Sequence, residues 1–203
     1  SQVTNVLRCL YLESQGYSVT VTELVGWEHS MKNELILAKH TGQKKRSARE
    51  RLEALLAEFG FSFELGIKQH HLSAAVEIAS RHPGVRFMLN HIAKPDIKAG
   101  VMDPWRAELR ELAALPNVGC KLSGLATEAD HARWAAADLR PYIDHVMTCF
   151  GPDRVLFGGD WPVSTLATDY PRWVQTVDDA LAGFTPDELH RVYVRNAEKF
   201  YRV

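Results

Sequence analysis

Polar side chains of the kinds that hydrolytic enzymes use stand at the ends of three short apolar runs. His91 and Lys94 follow the run RFMLN, Lys121 and Ser123 end the run VGCKLS, and Asp160 follows RVLFGG. A histidine can bind a divalent metal or hydrogen-bond a carbonyl oxygen, and an aspartate can bind metal or take a proton from water. A lysine can pair with a substrate carboxylate or a sugar hydroxyl. Together these groups suit the addition of water to an ester, lactone or amide.

Each of these residues also has a purely structural explanation. A single histidine at a strand end is often structural, and an aspartate before Trp161-Pro162 is a typical turn or helix-cap residue. The Lys121 side chain can reach solvent past the strand end, although a lysine buried without a partner is costly. Their joint placement after successive apolar runs favours a shared site, with Trp161 as an apolar wall of the pocket.

Four predicted strands alternate with helical patterns after residue 58. The apolar runs predict strands over residues 61–67, 86–92, 118–122 and 154–158. Helical spacing predicts helices over residues 72–81, 104–115, 128–150, 170–181 and 186–201. We expect Asp103 to cap the second helix, Pro141 to break the third, and Thr185 with Glu188 to form a capping box for the last. This alternation implies a parallel sheet, either open and doubly wound or part of a (β/α)8 barrel, and in both the carboxyl ends of the strands share one rim.

The first part of the chain is less regular. Its patterns predict helices over residues 5–15, 31–40 and 47–59 and a strand over residues 17–25. The basic run GQKKRSARER, residues 42–51, is interpreted as the solvated start of the last of these helices.

The charge balance argues against nucleic-acid and membrane partners. The 203 residues include 24 Lys and Arg against 25 Asp and Glu, a formal net charge of −1, so no basic field exists to hold phosphate groups. No apolar run approaches the roughly 18 to 20 residues of a membrane span, and the N-terminus lacks the features of a secretory signal. We therefore expect a cytoplasmic protein, with Cys9, Cys120 and Cys149 as buried free thiols.

Four segments, in this order, resemble the amidohydrolase-related family of predicted metal-dependent hydrolases. They are LNHIAKPDI (89–97), PNVGCKLSGLATEA (116–129), FGPDRVLFGGDWPV (150–163) and NAEKFYRV (196–203). Within this family the likeness is to sugar lactonases of the L-fuconolactonase and L-rhamnonolactonase type. It covers about residues 59–203 and implies an α/β fold of the (β/α)8 TIM-barrel type, in which the four predicted strands are the fifth to the eighth.

The resemblance also implies roles for the rim residues. His91 matches the histidine that ends the sixth strand, and Asp160 matches the aspartate that ends the eighth, a metal ligand, a proton shuttle or both in this superfamily. Both are therefore candidate metal ligands as well as candidate catalytic residues, and the expected ion is a single divalent metal, zinc above all. The motif positions that the resemblance assigns to substrate binding are Lys94, Lys121, Ser123 and Trp161.

The chain departs from the family pattern in its first part. The family opens with a His-x-His pair, which occurs nowhere in this chain, and Asn90 stands where the family usually has Asp. About sixty residues precede the fifth strand, whereas four strand–helix units need more than 100 at roughly 30 each. Residues 1–58 are accordingly interpreted as a divergent or truncated first half of a single domain, 1–203, and the barrel as abbreviated. Unpaired strand edges would then predict a homo-oligomer joined through an edge, or a partly disordered first third.

These observations give one main hypothesis and two alternatives. The main hypothesis is a hydrolase of a sugar lactone or related carboxylic ester, in which Asp160 activates water and His91 polarises the carbonyl directly or through a metal. The first alternative is a catalytically inactive barrel remnant that binds a small molecule or interacts with another protein, which the missing His-x-His pair favours. The second is a doubly wound sheet that binds a phosphate-bearing ligand, although the chain lacks a glycine-rich loop.

Overall fold

A computed structural model describes residues 2–23, 34–58 and 62–203. The chain divides into two compact units, Ser1–Phe61 and Ser62–Val203. The division falls close to the boundary that the sequence indicates after residue 58. The interpretation of the two parts as one domain stays a prediction.

In the described residues, the first unit contains two helices and a pair of antiparallel strands. Its elements are helix α1 (Gln2–Ser14), strands β1 (Tyr17–Glu23) and β2 (Glu34–His40), and helix α2 (Arg46–Glu58). The predicted strand over residues 17–25 and the predicted helices over 5–15 and 47–59 are confirmed, except that α1 ends at Ser14. Residues 24–25 and 59 of these predictions lie outside the described residues. The predicted helix over 31–40 is wrong, because Glu34–His40 pairs antiparallel with β1 along seven residues. This ladder pairs backbone groups of both strands and outweighs the helix preference of Glu, Leu, Ala and Lys.

A four-stranded parallel sheet forms the second unit's framework. Its strands are β3 (Ser62–Leu65), β4 (Arg86–Leu89), β5 (Val118–Leu122) and β6 (Val155–Phe157), and they pair in the order β3-β4-β5-β6. The four predicted strands are therefore confirmed. The order follows the chain without the reversal that defines a doubly wound sheet. Within the described ranges the strands do not close into a barrel, and the predicted association through an edge, here β3 or β6, stays a prediction.

Six helices of the described residues accompany these strands, of which the first three connect them and the last three follow β6. They are α3 (Leu72–Arg81), α4 (Trp105–Ala113), α5 (Ala136–Phe150), α6 (Tyr170–Ala180), α7 (Pro186–His190) and α8 (Asn196–Tyr201), with a π-helical turn at Arg191–Arg195. Short 3-10 turns occupy Gln69–His71, Asn90–Ala93, Ala126–Glu128 and Val163–Leu166. The predicted capping box of Thr185 and Glu188 opens α7. None of the helices that the structure describes has the length and apolar character needed to cross a membrane.

Two predictions about helix boundaries are wrong. Asp103 does not cap α4, because its carboxylate accepts hydrogen bonds from the Arg106 guanidinium at 2.6 and 3.3 Å and makes none to the helix backbone. The helix predicted over 128–150 begins at Ala136, and Pro141 lies inside it without breaking it. Proline removes one backbone hydrogen bond, and here the burial of the apolar residues on both sides of Pro141 outweighs that loss.

The core of the second unit packs helices against one face of the sheet. Trp105 and Leu112 of α4 are fully buried, as are Cys120 and Leu122 of β5. Because successive side chains of a strand point to opposite faces, Lys121 belongs to the other face of the sheet. By the strand register, Glu64 of β3 lies on the same face as Lys121.

The three cysteines are free, as the sequence predicts. Cys120 is fully buried, and burial holds the pKa of its thiol far above the ordinary value. Cys9 and Cys149 are only partly buried, so the prediction of buried thiols is correct in full for Cys120 alone.

Candidate active site

The candidate site lies at the carboxyl ends of the parallel strands. His91 follows β4, Ser123 follows β5 and Asp160 follows β6. Nε2 of His91 lies 3.5 Å from Oδ1 of Asp160, and Nδ1 lies 2.9 Å from the Ser123 hydroxyl oxygen. The side chains of His91 and Asp160 are 25% and 10% exposed, so the pair is shielded from bulk water but reachable by a small molecule. The structure thus brings three of the predicted residues together.

A left-handed turn carries His91 into this position. His91, Ile92, Ala93 and Lys94 have φ angles of 52°, 49°, 63° and 49°, a region that residues with a Cβ rarely adopt. The turn ends β4 at Leu89, earlier than the predicted strand end at residue 92. Residues held in such a region need surrounding contacts that compensate for the strain.

Two neighbours hold this turn in place. The indole Nε1 of the fully buried Trp105 donates a hydrogen bond of 2.7 Å to the carbonyl of Ile92. Gly124, at φ +69°, leaves the space that the His91 side chain fills, since a Cβ there would lie 2.9 Å from His91 Cβ and 3.0 Å from Nδ1. The position of the imidazole therefore depends on the indole of Trp105 and on the missing side chain of Gly124.

Replacing Trp105 with Phe tests this support. We expect the free energy of unfolding to fall by about 1–3 kcal/mol, because the carbonyl of Ile92 is left buried without a partner. Urea unfolding of the wild type and the variant measures this difference. Trp134→Phe is the matched control: Trp134 is also buried, and its Nε1 donates at 2.8 Å to the carbonyl of Ala167 instead. We expect the two variants to lose similar amounts of stability and Trp105→Phe to lose more activity than Trp134→Phe. Equal activities of the two variants would contradict the role of Trp105 in positioning His91.

Asp160 offers a free acceptor to the site. Its backbone is also left-handed, at φ 52°, and its carbonyl accepts a hydrogen bond of 2.8 Å from the Ser164 N–H. Its Oδ2 atom is buried and has no hydrogen-bond partner among the described residues. A buried carboxylate oxygen without a partner is costly, which points to a water or a ligand as the missing partner.

Burial and the surrounding charged groups together set the pKa of His91. Burial of the ring has the largest influence and lowers the pKa of His91. The carboxylates of Asp160 and Glu128 raise this pKa, and the ammonium groups of Lys94 and Lys121 lower it. The net pKa lies below the ordinary value, so the imidazole is neutral near pH 7 and carries one N–H. Lys94 in turn lies 3.5 Å from a Glu128 carboxylate oxygen.

A second polar cluster is centred on Glu64 of β3. Its Oε1 accepts hydrogen bonds from the Lys121 ammonium at 2.9 Å and from the Tyr201 hydroxyl, and its Oε2 accepts one of 2.9 Å from Nδ2 of Asn90. Burial acts to raise the pKa of Glu64, but the hydrogen bonds from Tyr201, Asn90 and Lys121 outweigh it and hold this pKa below the ordinary value. Glu64 is thus ionised at neutral pH and balances the charge of Lys121.

The remaining predicted residues lie around this centre. The ammonium of Lys121 is bound to Glu64, and that of Lys94 faces Glu128. Trp161, next to Asp160 in the chain, is 78% exposed. The assignments of Lys94, Lys121, Ser123 and Trp161 to substrate binding, and of His91 and Asp160 to catalysis or metal binding, stay predictions.

Five residues of this rim were not among the predicted site residues, although Asn90 was noted as a departure from the family pattern. They are Glu64, Asn90, Gly124, Glu128 and Tyr201. Glu64 had a signal, because it is a charged residue inside the apolar run FSFELGI. Gly124 follows Ser123 within a segment already singled out. No pattern in the sequence connects Tyr201, in the last helix, with strand β3.

The fold and the rim define a class of protein. A parallel α/β sheet wound in chain order, with a histidine and an aspartate facing each other at the carboxyl ends of its strands, is an arrangement typical of barrel enzymes that do their chemistry at this face. The Amidohydrolase family model matches residues 34–203, and the chain belongs to this family. The resemblance drawn from the four motifs is thereby confirmed.

Two curated lactonases and one solved structure are similar to this chain. The chain is 40% identical over 157 residues to L-fucono-1,5-lactonase of Burkholderia ambifaria, which covers 75% of this chain and 53% of that protein. It is 34% identical over 187 residues to L-fucono-1,5-lactonase of Burkholderia multivorans. The matched region covers 78% of this chain and 63% of that protein. A crystal structure of an amidohydrolase from Burkholderia multivorans with bound zinc matches with a TM-score of 0.72 at 33% identity, covering 77% of this chain and 58% of that one. The chain spans about half the length of the curated relatives it matches.

Because that relative binds zinc, we compared the geometry of His91 and Asp160 with that of a zinc site. His91 Nε2 and Asp160 Oδ1 are 3.5 Å apart, close to the separation of about 3.4 Å between two tetrahedral zinc ligands. A catalytic zinc site, however, takes three protein ligands. Within the described ranges, no group of three or more His, Cys, Asp or Glu is placed to hold a metal ion. By themselves, His91 and Asp160 do not complete a zinc site.

Proposed function

We propose that this chain hydrolyses the ring ester of a sugar lactone at the rim formed by His91 and Asp160. The observation that carries the proposal is the approach of the two side chains to 3.5 Å, with a buried Asp160 oxygen that has no hydrogen-bond partner in the described part of the chain. Membership of the amidohydrolase family and the similarity to L-fucono-1,5-lactonases support the reaction type and the substrate class.

In the first step Asp160 activates water. Its carboxylate takes a proton from a water molecule while the water oxygen bonds to the carbonyl carbon of the lactone. Negative charge develops on the carbonyl oxygen, and the N–H of the neutral His91 donates a hydrogen bond to it. This role needs the proton on Nε2, and the Ser123 hydroxyl would favour that tautomer by donating to Nδ1.

In the second step the ring opens. The tetrahedral intermediate collapses, the bond between the carbonyl carbon and the ring oxygen breaks, and Asp160 returns its proton to the departing ring oxygen. The product is an open-chain hydroxy acid, which releases a proton at neutral pH. Lys94 and Lys121 would orient the substrate by donating hydrogen bonds to its oxygens.

Turnover of lactones by the purified chain tests the proposal. We expect hydrolysis of L-fucono-1,5-lactone or a related sugar lactone at a rate well above the spontaneous one, followed through proton release with a pH indicator. The same assay after dialysis against a chelator, and after addition of zinc, shows whether turnover depends on metal. Binding of lactones without turnover would contradict the proposal and favour the alternative of a non-catalytic binding protein.

A further inference from the structure

Unpartnered acceptor atoms follow three strands of the parallel sheet. Buried oxygens without a hydrogen-bond partner in the described residues include Gln69 Oε1 after β3, Asn90 Oδ1 after β4 and Asp160 Oδ2 after β6. All three atoms accept hydrogen bonds and none donates. A ligand that satisfies such atoms must present donors, and hydroxyl groups are the donors that a sugar lactone carries.

The orientation of the Asn90 amide is fixed by its partner. An asparagine presents either its NH2 group or its oxygen to a given neighbour, depending on a flip of the amide. An ionised carboxylate only accepts hydrogen bonds, so the NH2 group of Asn90 has to face Glu64, as the contact of 2.9 Å between Nδ2 and Oε2 shows. The oxygen Oδ1 is thereby turned away from Glu64, where it is buried without a hydrogen-bond partner among the described residues.

Glu64 is itself held in place. The Lys121 ammonium and the Tyr201 hydroxyl both donate to Oε1, and the same ammonium lies 5.2 Å from the centre of the Tyr201 ring. Hydrogen bonds between a charged donor and a charged acceptor are among the strong ones in proteins. Two donors therefore hold the Glu64 carboxylate next to the amide that precedes His91 in the chain.

We propose that Asn90 Oδ1 determines substrate specificity by accepting a hydrogen bond from one hydroxyl of the lactone, and that Glu64 is the positioning residue that fixes the Asn90 amide. The inference rests on the proposed lactone hydrolysis and adds to it a residue that selects among hydroxylated lactones.

The first test compares wild type and Asn90→Ala on a sugar lactone and on its deoxy analogues, each lacking one hydroxyl. In the wild type, kcat/KM should fall by about 5- to 150-fold for one analogue, the equivalent of leaving a buried acceptor unpaired. In Asn90→Ala this difference should nearly vanish, because the acceptor is absent with either substrate. Asn90→Ser serves as a second variant should the alanine protein fail to fold. A variant that keeps the full discrimination for every analogue would overturn the role of Asn90.

The second test isolates Glu64. Glu64→Gln keeps the size of the side chain but adds an NH2 group, so the Asn90 amide is no longer held in one orientation. Discrimination should fall as in Asn90→Ala although Asn90 is retained. Competitive acetylation read by mass spectrometry should show faster labelling of Lys121, because its ion pair is lost. Glu77→Gln is the matched control, since Glu77 is an exposed glutamate of α3 paired with Arg81, and it should change neither measurement.

The outcomes separate this inference from the proposed function. Unchanged discrimination in Glu64→Gln would refute the role of Glu64 in fixing the Asn90 amide. Unchanged labelling of Lys121 would contradict the ion pair that holds the Glu64 carboxylate in place. A wild-type chain that turns over no lactone would refute the hydrolase and the specificity role of Asn90 with it. In that case the labelling of Lys121 still tests whether Glu64 holds the Lys121 ammonium.

Discussion

Replacing Asp160 with Asn should lower kcat by roughly 10²- to 10⁴-fold, the usual contribution of general acid–base catalysis. The amide has nearly the same shape as the carboxylate, and asparagine tolerates the left-handed backbone that Asp160 adopts, at φ 52°. An amide, however, takes no proton from water and returns none to the ring oxygen. Steady-state turnover of the preferred sugar lactone measures the effect.

A folding measurement and a control variant test whether a loss of activity in Asp160→Asn comes from misfolding or from a general effect of the substitution. Circular dichroism and urea unfolding should show that Asp160→Asn folds with nearly wild-type stability. Asp144→Asn is the matched control, because Asp144 is an exposed aspartate of α5 that pairs with Arg140, and its turnover should equal that of the wild type. Wild-type turnover in Asp160→Asn would refute the assignment of this carboxylate as the general base.

Replacing His91 with Asn should lower kcat by about 10²- to 10³-fold, the loss expected when a donor to a developing oxyanion is removed. Asparagine is chosen because it is among the residues that adopt a left-handed backbone most readily, so the turn at φ 52° should survive. The shorter side chain does not reach the position of the imidazole Nε2. The effect should fall on kcat more than on KM, because charge on the carbonyl oxygen develops in the transition state.

Two further variants sharpen the test of His91. Ser123→Ala should cause a smaller loss of kcat, because it removes the partner at 2.9 Å from Nδ1 but leaves the imidazole in the site. His190→Asn, at an exposed histidine of α7, should leave turnover unchanged. If Ser123→Ala were more damaging than His91→Asn, the hydroxyl rather than the imidazole would be the group that acts on the substrate.

Much of the second unit could be predicted from the sequence. Short apolar runs separated by helical spacing gave the four parallel strands, because a strand buried on a sheet must be apolar and the helix covering it must present an apolar stripe. The same logic placed His91, Ser123 and Asp160 on one rim, since the carboxyl ends of parallel strands meet. The first unit was harder: Glu34–His40 reads as helical, and pairing with β1 makes it a strand.

The supporting contacts of the site could not be predicted in this way. The bonds from Tyr201 and Asn90 to Glu64 join residues far apart in sequence, and no periodicity relates them. The left-handed turn that carries His91 could not be predicted either, since its four residues all have Cβ atoms and none is a Gly, Asn or Asp. It exists because Trp105 and Gly124 meet it in space.

The sequence by itself determined the alternation of strands and helices and the identity of the groups at the strand ends. The reason is that the buried face of a strand or helix needs apolar residues at regular spacing along the chain. The tertiary structure decided which of those groups meet. His91 faces Asp160, whereas Lys121 turns to Glu64. The physical reason is that hydrogen bonds and ion pairs act over a few ångströms, so they depend on how distant segments pack and leave no pattern along the sequence.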